Sequence, residues 1–373
     1  MWDVTTGGIL LQVVVDALLY HPQSAGIGRY IASLVEAYVA QFAMVDQVMA
    51  IGLPGQVLPG GTMVVPPGNL HHSRERMMFE QWQLHKWLRQ TSYDVVHFPD
   101  YQVPVLRRVR HSVATVHDLV AYKYPQMFPW AKSQVKRRML AWSVRAADHI
   151  IVPSQATADD LHEILKVPRE RVTVVPHGVI RRGIPSAMSL NSRPYFVAVG
   201  TIEPRKNFQR VIEAFAQLVD KQKLRGQVDL LIAGKKGWLY EPVLEAPSRL
   251  GIAEQVRFLD YVSEDDLASL YRHAIALVYP SLYEGFGLPV LEAMGWGAPV
   301  ICSNRGALAE VAGNAAMIVD PLSVEDIAAH MEQLWTHPEH HDIWAQKGLE
   351  HIKSYTWSQT ALQTRAVYLQ VAR

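Results

Sequence analysis

The stretch Ala274–Asn304, "AIALVYPSLYEGFGLPVLEAMGWGAPVICSN", contains an apolar run, a glycine-containing turn, a helical pattern and a second apolar run. Runs rich in Val and Ile without polar alternation are typical of strands buried on both faces of a parallel sheet. Two parallel strands need a crossover connection, which is usually a helix. This stretch therefore predicts one strand–helix–strand unit of a parallel sheet.

Similar apolar runs alternate with helical patterns along most of the chain. In the first half they cover residues 9–19, 47–53, 62–67, 93–99, 111–118, 148–154 and 172–178, and in the second half residues 195–200, 228–234, 256–260, 274–281, 299–304 and 315–320. Amphipathic stretches such as 28–42 and 155–165 lie between them. This alternation predicts an α/β fold.

Residues 181–194, "RRGIPSAMSLNSRP", interrupt the alternation because they are rich in Ser, Pro and Arg and lack periodicity. We interpret them as a linker between an N-terminal domain, 1–180, and a C-terminal domain, 195–356. A chain of 373 residues is long enough for two such domains. The predicted architecture is two Rossmann-like, doubly wound parallel-sheet domains facing each other across a cleft, with ligands at the carboxyl ends of the strands. The last helix, 357–372, is expected to pack back on the first domain.

The composition argues against several classes of protein. The net charge is only +1, so nothing global points to a nucleic-acid partner. The single cysteine, Cys302, cannot form an intrachain disulfide, which favours a reducing, cytoplasmic environment. The N-terminal apolar run has no basic region before it, so we interpret it as a strand rather than a signal peptide. The sequence contains no run of 18 apolar residues, so we expect no membrane span.

The loop "GTIEPRKNFQRVIEAF", 200–215, follows a predicted strand and opens a helix. Arg205 and Lys206 lie in or beside the first helical turn, where free backbone N–H groups also attract anions, so we expect an electropositive cradle for a pyrophosphate. A charge-assisted hydrogen bond contributes roughly 1.5–3 kcal/mol and a helix end roughly 0.3–1 kcal/mol. The two side chains should therefore dominate. The alternative is a solvated basic turn.

The turn "EGFGLP", 284–289, brackets two glycines and a proline that suits the first turn of a helix. Gly285 and Gly287 would let the backbone approach a ligand. Glu292, expected in the first turn of that helix, would accept ribose hydroxyls, and Glu284 would accept hydroxyls of a bound sugar. The alternative is that Glu292 caps its own helix and Glu284 is exposed.

Five separated motifs resemble the retaining glycosyltransferases of family 4. They are "EGFGLPVLEAMGWGAPVICSN" (284–304), "GTIEPRKN" (200–207), "SAGIGRY" (24–30), "TVHDL" (115–119) and "VPSQATADDL" (152–161). The resemblance implies the two-Rossmann GT-B fold and transfer of a sugar from a nucleotide-sugar donor with retention of configuration. It also implies that neither a metal nor another cofactor is needed. In keeping with this, no Asp-x-Asp follows a predicted strand to hold a cation between phosphates.

The resemblance also implies roles for individual residues. Arg205 and Lys206 would bind the diphosphate and stabilise the leaving group. The donor would further be held by Glu292 at the ribose, by Leu288 near the ribose or diphosphate, and by Glu284 with the backbone of Gly285, Phe286 and Gly287 at the sugar.

Three residues of the first domain are included in the same prediction. His117 would approach the transferred sugar, and the alternative is a structural histidine. Gly26 and Gly28 would let the first helix approach the phosphates or the acceptor. His177 is predicted to be a turn or interdomain residue without a catalytic role.

The donor and acceptor are predicted from the same resemblance. "EPRKN" and "TVHDL" are similar to segments of bacterial mannosyl- and rhamnosyl-transferases of polysaccharide assembly, which favours a GDP-mannose-type donor and a saccharide or lipid-linked saccharide acceptor. Residues 69–90 and 128–148 combine basic and aromatic side chains, which suits peripheral contact with the inner face of an anionic membrane. The alternative is that their apolar sides pack on the sheet and their charges are solvated.

Two other functions fit the same fold. A nucleotide-sugar epimerase would turn over the donor without an acceptor, and a non-catalytic module would bind the nucleotide sugar without transfer. A dehydrogenase is disfavoured because "GIGRYIAS" lacks the third glycine of the dinucleotide motif.

Overall fold

The computed structural model describes residues 10–21, 26–66, 70, 73–181, 183–186 and 188–372, with the backbone alone for residues 73 and 74. Parts of the predicted first strand, of the "SAGIGRY" motif, of the basic stretch 69–90 and of the linker lie outside the described residues, namely positions 9, 24, 25, 69, 71, 72, 182 and 187. The chain divides into two compact units. The first unit consists of the chain up to Gly178 together with the part from Trp357 onward, and the second unit spans Val179–Thr356.

Seven parallel strands form the sheet of the first unit: β1 (Leu11–Asp16), β2 (Asp46–Ile51), β3 (Thr62–Val64), β4 (Val95–Phe98), β5 (Ser112–Thr115), β6 (His149–Val152) and β7 (Val172–Val174). Their order is β3-β2-β1-β4-β5-β6-β7, so the order reverses between β1 and β4. Ligands of doubly wound sheets bind at such a reversal, outside the carboxyl ends of the strands. We call this position the switch point of a sheet.

Helices cover both faces of this sheet. They are α1 (Ile27–Phe42), α2 (Ser73–Met78), α3 (Leu84–Gln90), α4 (Val120–Lys123), α5 (Trp130–Ala146) and α6 (Gln155–Leu165), with a π-helical segment, Phe79–Gln83, between α2 and α3. Val13 and Val15 of β1 pack with residues of α1, whereas Val14 packs in a separate cluster with Phe79 and Leu84. Burial on both faces explains why the predicted runs lack polar alternation.

The second unit repeats this design with six parallel strands: β8 (Tyr195–Val199), β9 (Asp229–Ala233), β10 (Val256–Phe258), β11 (Ala276–Tyr279), β12 (Val300–Ser303) and β13 (Met317–Val319). Their order is β10-β9-β8-β11-β12-β13, so the switch point lies between β8 and β11. Its helices are α7 (Phe208–Lys221), α8 (Glu241–Arg249), α9 (Glu264–Arg272), α10 (Leu288–Gly295), α11 (Leu308–Ala312), α12 (Val324–Thr336) and α13 (Glu339–His351).

Each predicted apolar run overlaps one of these strands, and the fold class of two parallel-sheet domains is confirmed. The opening stretch forms β11, α10 and β12, with Leu277 paired to Val300 by the parallel ladder. None of the described helices combines the length and the apolar character needed to cross a bilayer.

The segment predicted as a linker contacts the second unit. The backbone N–H of Ile184 donates to Asp265 Oδ1 at 2.7 Å, and that of Ser186 donates to Ser269 Oγ at 2.8 Å. Both acceptors belong to α9, so the described part of this segment is tied to the second unit by hydrogen bonds.

The last helix, α14 (Trp357–Val371), completes the core of the first unit. Trp357 and Tyr368 lie in the apolar cluster that contains α1 and β1. The Tyr368 hydroxyl lies 2.6 Å from Nδ1 of the buried His97. Arg365 donates from Nε and Nη2 to the two carboxylate oxygens of Asp46, at 2.6 and 3.1 Å. A buried bidentate ion pair therefore fixes α14 to β2.

Arg365→Ala should lower the free energy of unfolding by about 3–5 kcal/mol, because it leaves the buried Asp46 carboxylate without its cation. Urea denaturation measures this loss. Arg225→Ala is the matched control, since the Arg225–Asp220 pair is exposed and has a 2.7 Å contact. That variant should lose less than about 1 kcal/mol. Equal losses in the two variants would contradict the role of the buried pair.

Candidate functional site

Two loops meet at the switch point of the second unit. After β8 comes a 3₁₀ turn, Pro204–Lys206, and α7 begins at Phe208. After β11 comes the loop that carries Glu284 and leads into α10. Because β8 and β11 are neighbouring parallel strands, both loops leave the same edge of the sheet. The structure thereby brings the predicted residues Arg205, Lys206 and Glu284 together.

Hydrogen bonds fix these two loops to each other. The backbone oxygen of Arg205 accepts from the N–H of Leu282 at 2.8 Å. Asn207, in the left-handed conformation that Asn tolerates well, donates from Nδ2 to the backbone oxygens of Pro280 and Pro321, at 3.0 and 2.7 Å. The sequence analysis assigned no role to Asn207, although its position directly after Arg205 and Lys206 could have indicated that it shapes their turn.

The Glu284 carboxylate bridges the two cations. Its Oε2 lies 2.6 Å from Arg205 Nη1, and its Oε1 lies 2.6 Å from Lys206 Nζ. The hydroxyl of Tyr279, the last residue of β11, donates to Oε1 at 3.0 Å and accepts a short hydrogen bond from Lys206. Each of the two Glu284 oxygens therefore faces a cation of the same unit.

The two cations keep the Glu284 carboxylate ionised. Burial alone would raise the pKa of Glu284, but Arg205 and Lys206 outweigh burial and hold it at about 2. Burial lowers the pKa of Lys206, and the Glu284 carboxylate opposes that shift. Burial, followed by the charge of Glu284, raises the pKa of the Tyr279 hydroxyl. The Glu284 carboxylate therefore offsets the free-energy cost of burying two neighbouring cations.

A second carboxylate, which the sequence reasoning missed, completes the charge balance. Glu203 is buried, and its Oε1 lies 2.9 Å from Arg205 Nε and 2.7 Å from Nη2. Two carboxylates face two cations, so the expectation of an electropositive cradle is wrong for these four groups. The physical reason is that buried cations need compensating charge. The signal was an acid two residues before Arg205.

The glycine-containing turn has the predicted form. Gly285, Phe286 and Gly287 are buried. Gly287 has φ of 113° where α10 begins, and a Cβ there would lie 2.5 Å from Leu308 Cδ2, so only glycine fits. Leu288 is the half-buried first residue of α10, and Pro289 lies in its first turn as predicted.

The expected position of Glu292 is wrong. Because α10 begins at Leu288, Glu292 is its fifth residue and lies in the second turn. The helix dipole acts mainly within the first turn, so it contributes less to this carboxylate than we expected. The half-buried Glu292 side chain remains a predicted ribose ligand.

In the first unit, His117 follows β5 and contacts two neighbours. Its Nε2 lies 2.8 Å from the backbone oxygen of Pro99, which can only accept, so Nε2 carries a hydrogen. Its Nδ1 lies 3.3 Å from His177 Nε2. His177 is buried and stacked on Trp357, and burial lowers its pKa well below the ordinary value. His177, to which the sequence assigned no catalytic role, is thus a neighbour of His117.

The two predicted glycines of the first unit differ in their surroundings. Gly26 precedes α1 with φ of 62°, and a Cβ there would have no described heavy atom within 4 Å. Gly28 is buried within the first turn of α1. Of these two glycines, only Gly26 therefore has space beside it that no described residue fills. Among the described residues, no three His, Cys, Asp or Glu side chains are grouped to hold a metal ion.

Comparison with known proteins identifies the family. Residues 24–181 match the profile described as Glycosyltransferase Family 4, and residues 185–351 match that described as Glycosyl transferases group 1. O-antigen chain mannosyltransferase B of Escherichia coli is 30% identical over 311 residues, which are 79% of this chain and 81% of that protein. The chain belongs to glycosyltransferase family 4.

Other similarities agree with this assignment. O-antigen chain mannosyltransferase RfbU of Salmonella typhimurium is 31% identical to this transferase over 224 residues, 59% of each chain. The structure of sucrose-phosphate synthase from Thermosynechococcus elongatus aligns with a TM-score of 0.77 at 20% identity, covering 96% of this chain and 98% of that one. This likeness concerns the fold. The predicted family and its GT-B fold are confirmed.

Glu284→Gln should remove an acid-sensitive part of the stability of this glycosyltransferase. The pKa of Glu284 is lowered from 4.5 to about 2, so its contribution is present above pH 4.5 and is lost as the pH falls toward 2. That contribution is about 3 kcal/mol. Urea denaturation at neutral and acidic pH should therefore show a smaller acid loss in the variant and a lower stability at neutral pH.

The control for this experiment is Glu332→Gln. Glu332 accepts from two side chains, Lys221 and Gln222, and its pKa is lowered like that of Glu284, chiefly by the Lys221 hydrogen bond. Its cation is largely exposed, so solvent screens the interaction and the variant should follow the wild type across the pH range. An unchanged acid profile in Glu284→Gln would show that the bridge does not stabilise the fold.

Proposed function

We propose that this protein is a retaining hexosyltransferase that moves mannose from a GDP-mannose-type donor onto a saccharide or lipid-linked saccharide acceptor. The observation that carries the proposal is the pair Arg205 and Lys206, held beside Glu284 at the switch point of the second unit. The names of two relatives as O-antigen chain mannosyltransferases support the choice of sugar.

The cluster suggests how the donor is held. A diphosphate offers more oxygens and more negative charge than one carboxylate, so it competes with Glu284 for Arg205 and Lys206. The two cations then stabilise the charge that grows on the leaving diphosphate as the glycosyl bond breaks. In this proposal they take the place of a metal ion. Glu203 and Asn207 keep their turn in position during the exchange, which limits reorganisation.

The exchange also releases the Glu284 carboxylate. With the backbone of Gly285, Phe286 and Gly287, it would accept hydroxyls of the donor sugar. Glu292 would hold the ribose, with Leu288 beside the ribose or diphosphate.

Acceptor attack would occur on the face that the phosphate leaves, with a donor phosphate oxygen taking the acceptor proton, which gives retention. His117 would replace its 3.3 Å contact with His177 by a hydrogen bond to a sugar hydroxyl. Gly26 would leave room for the phosphates or the acceptor, with Gly28 packed behind it in α1.

The double variant Arg205→Ala/Lys206→Ala should lower kcat by at least about 100-fold, because each cation stabilises charge that develops in the transition state. Transfer from GDP-mannose to a panel of α-linked mannobioses, followed by mass spectrometry, measures this effect. Lys221→Ala, which removes an exposed cation at the far end of α7, is the control and should keep wild-type turnover. Transfer at the wild-type rate by the double variant would refute the diphosphate assignment.

The donor itself is tested by thermal shift with GDP, UDP, dTDP and ADP sugars, of which GDP-mannose should stabilise the protein most. A time course by NMR with donor alone separates the alternatives. Epimerised donor would identify an epimerase. Tight nucleotide binding without transfer to any acceptor would identify a binding module. The anomeric configuration of the product reports retention directly.

We also propose that the protein works in the cytoplasm, at the inner face of the membrane. Its lone cysteine, Cys302, is buried and forms no disulfide, which suits a reducing compartment. Helix α5 exposes a stripe of residues at helical spacing that includes Val135, Arg138, Trp142 and Arg145. Trp142 is 52% exposed.

Further exposed apolar side chains lie at the start of α5 and in the other basic stretch, residues 69–90. Trp130, the first residue of α5, is 77% exposed, and Met77, Met78 and Trp82 of the other stretch are also exposed. By contrast, Phe79 packs in the core. Packing of the apolar sides on the sheet, which is the alternative to membrane contact, therefore accounts for Phe79 but not for the exposed side chains. Exposed Trp beside Arg suits an anionic bilayer surface, where each cation contributes about 1 kcal/mol.

Trp130→Ser/Trp142→Ser should reduce sedimentation with phosphatidylglycerol vesicles at low salt, because it removes the side chains that would enter the interface. Ile343→Ser removes an exposed apolar side chain of the second unit and is the matched control. Vesicles of phosphatidylcholine alone should sediment less protein. If the wild type stays in the supernatant with anionic vesicles, the membrane proposal fails.

A further inference from the structure

Three buried carboxylates gather at the switch point of the first unit. Asp16 is the last residue of β1, and Asp100 follows the neighbouring strand β4. Glu80 comes from the π-helical segment and is only 2% exposed. The charges of Asp16 and Asp100 both act on Glu80, so the three groups lie within electrostatic reach of one another. The carboxyl ends of strands beside a switch point are where such sheets bind ligands.

The Glu80 carboxyl group has an oxygen whose hydrogen-bonding capacity is unused within this cluster. Its Oε2 has no hydrogen-bond partner among the described residues. The cation nearest to it in the described structure, Arg76, has its Nε 3.7 Å from Oε1, too far for a hydrogen bond, and that Nε also lacks a described partner. A buried carboxylate oxygen without a partner is costly, so its presence needs an explanation such as a bound ligand.

Within the described part of the chain, the other two carboxylates make only local hydrogen bonds. Asp16 Oδ1 accepts from the N–H of Leu18 at 3.1 Å. Asp100 accepts from its neighbour Tyr101 at 2.8 Å and from Gln102 at 3.0 Å. No ion pair of the described residues joins either of them to a cation, in contrast to Glu284 in the second unit. Each carboxylate can accept further hydrogen bonds.

The backbone holds Glu80 in place. The π-helical segment Phe79–Gln83 interrupts the helix between α2 and α3, and such segments are frequent at functional sites. The next residue, Gln81, accepts from the N–H of Val105 at 2.8 Å and lies 3.4 Å from the backbone oxygen of Val103. It thereby ties this segment to the loop after β4, which also carries Asp100.

The protonation of the cluster suits a ligand that both donates and accepts hydrogen bonds. Burial raises the pKa of Asp16 to about 6. Burial, followed by the charge of Asp16, raises the pKa of Glu80 to about 9. Of the two carboxyls, Glu80 has its pKa raised more, so it keeps a proton to higher pH and can donate it while Asp16 accepts. A sugar hydroxyl is such a ligand, whereas a metal ion would need ionised carboxylates.

We propose that Asp16, Glu80 and Asp100, with Arg76 beside them, bind the hydroxyl groups of the saccharide acceptor. This inference rests on the proposed function and adds to it a specific acceptor site in the first unit. Glu80 donates to one hydroxyl and accepts from another, and Asp16 and Asp100 accept from neighbouring hydroxyls.

The test compares Glu80→Met and Asp16→Asn with the wild type and with Glu36→Gln, which removes an exposed carboxylate of α1. Saturation-transfer NMR with a panel of α-linked mannobioses reports saccharide binding, and calorimetry with GDP reports the donor site. Both cluster variants should weaken mannobiose binding about tenfold or more, since each loses hydrogen bonds to the sugar. GDP binding should stay within twofold in all four proteins. Glu36→Gln should match the wild type.

Folding and function are separated within the same experiment. Glu80→Met keeps nearly the length of the side chain while removing both of its oxygens, and an undiminished melting temperature with unchanged GDP binding shows that the variant is folded. Mannobiose signals equal to the wild type in both cluster variants would overturn the site, as would a wild type that binds GDP but none of the saccharides. If the wild type binds mannobiose but not GDP, the donor half of the proposed function fails while the acceptor site stands.

Discussion

One carboxylate holding two cations is the interaction on which the second unit depends. Arg205 and Lys206 are consecutive and largely buried, so without Glu284 they would repel each other at a place where water screens poorly. Three strand-end loops converge on this acid. The loop after β8 supplies the cations, the loop after β11 supplies Glu284, and the N–H of Ala307 after β12 donates to the Glu284 backbone oxygen at 3.1 Å. The charge bridge and the backbone therefore specify the same loop conformation.

The two units share one architecture but differ in the electrostatics of their switch points. In the second unit each carboxylate touches a cation, and the four charges cancel. In the first unit three carboxylates gather with Arg76, whose Nε is 3.7 Å from Glu80. The paired charges of the second unit suit an anion that replaces a carboxylate as the partner of the cations. The three carboxylates of the first unit suit a neutral ligand rich in hydroxyls. This difference matches the two substrates of a transferase, an anionic nucleotide sugar and a saccharide.

The sequence predicts the fold well because strands buried on both faces leave an unmistakable apolar signal. It also predicts that Arg205, Lys206 and Glu284 come together, since neighbouring parallel strands deliver their loops to one edge. It does not predict the direction in which the Glu284 oxygens point, because that depends on side-chain pairing across 79 positions of the chain. Glu80 gives no signal at all, since an acid in an amphipathic helical stretch is usually solvated. The π-helical segment that turns it inward has no recognisable sequence pattern.

The position of α14 has a consequence for how the chain is made. The Asp46 carboxylate is synthesised more than three hundred residues before Arg365, the cation that neutralises it. On the ribosome the whole second unit emerges in between, so it can fold while the first still lacks its last helix. The amino-terminal unit is then the later of the two to reach its final stability, which reverses the usual order of vectorial folding. Shortening the chain at its carboxyl end would therefore damage the unit that was translated first.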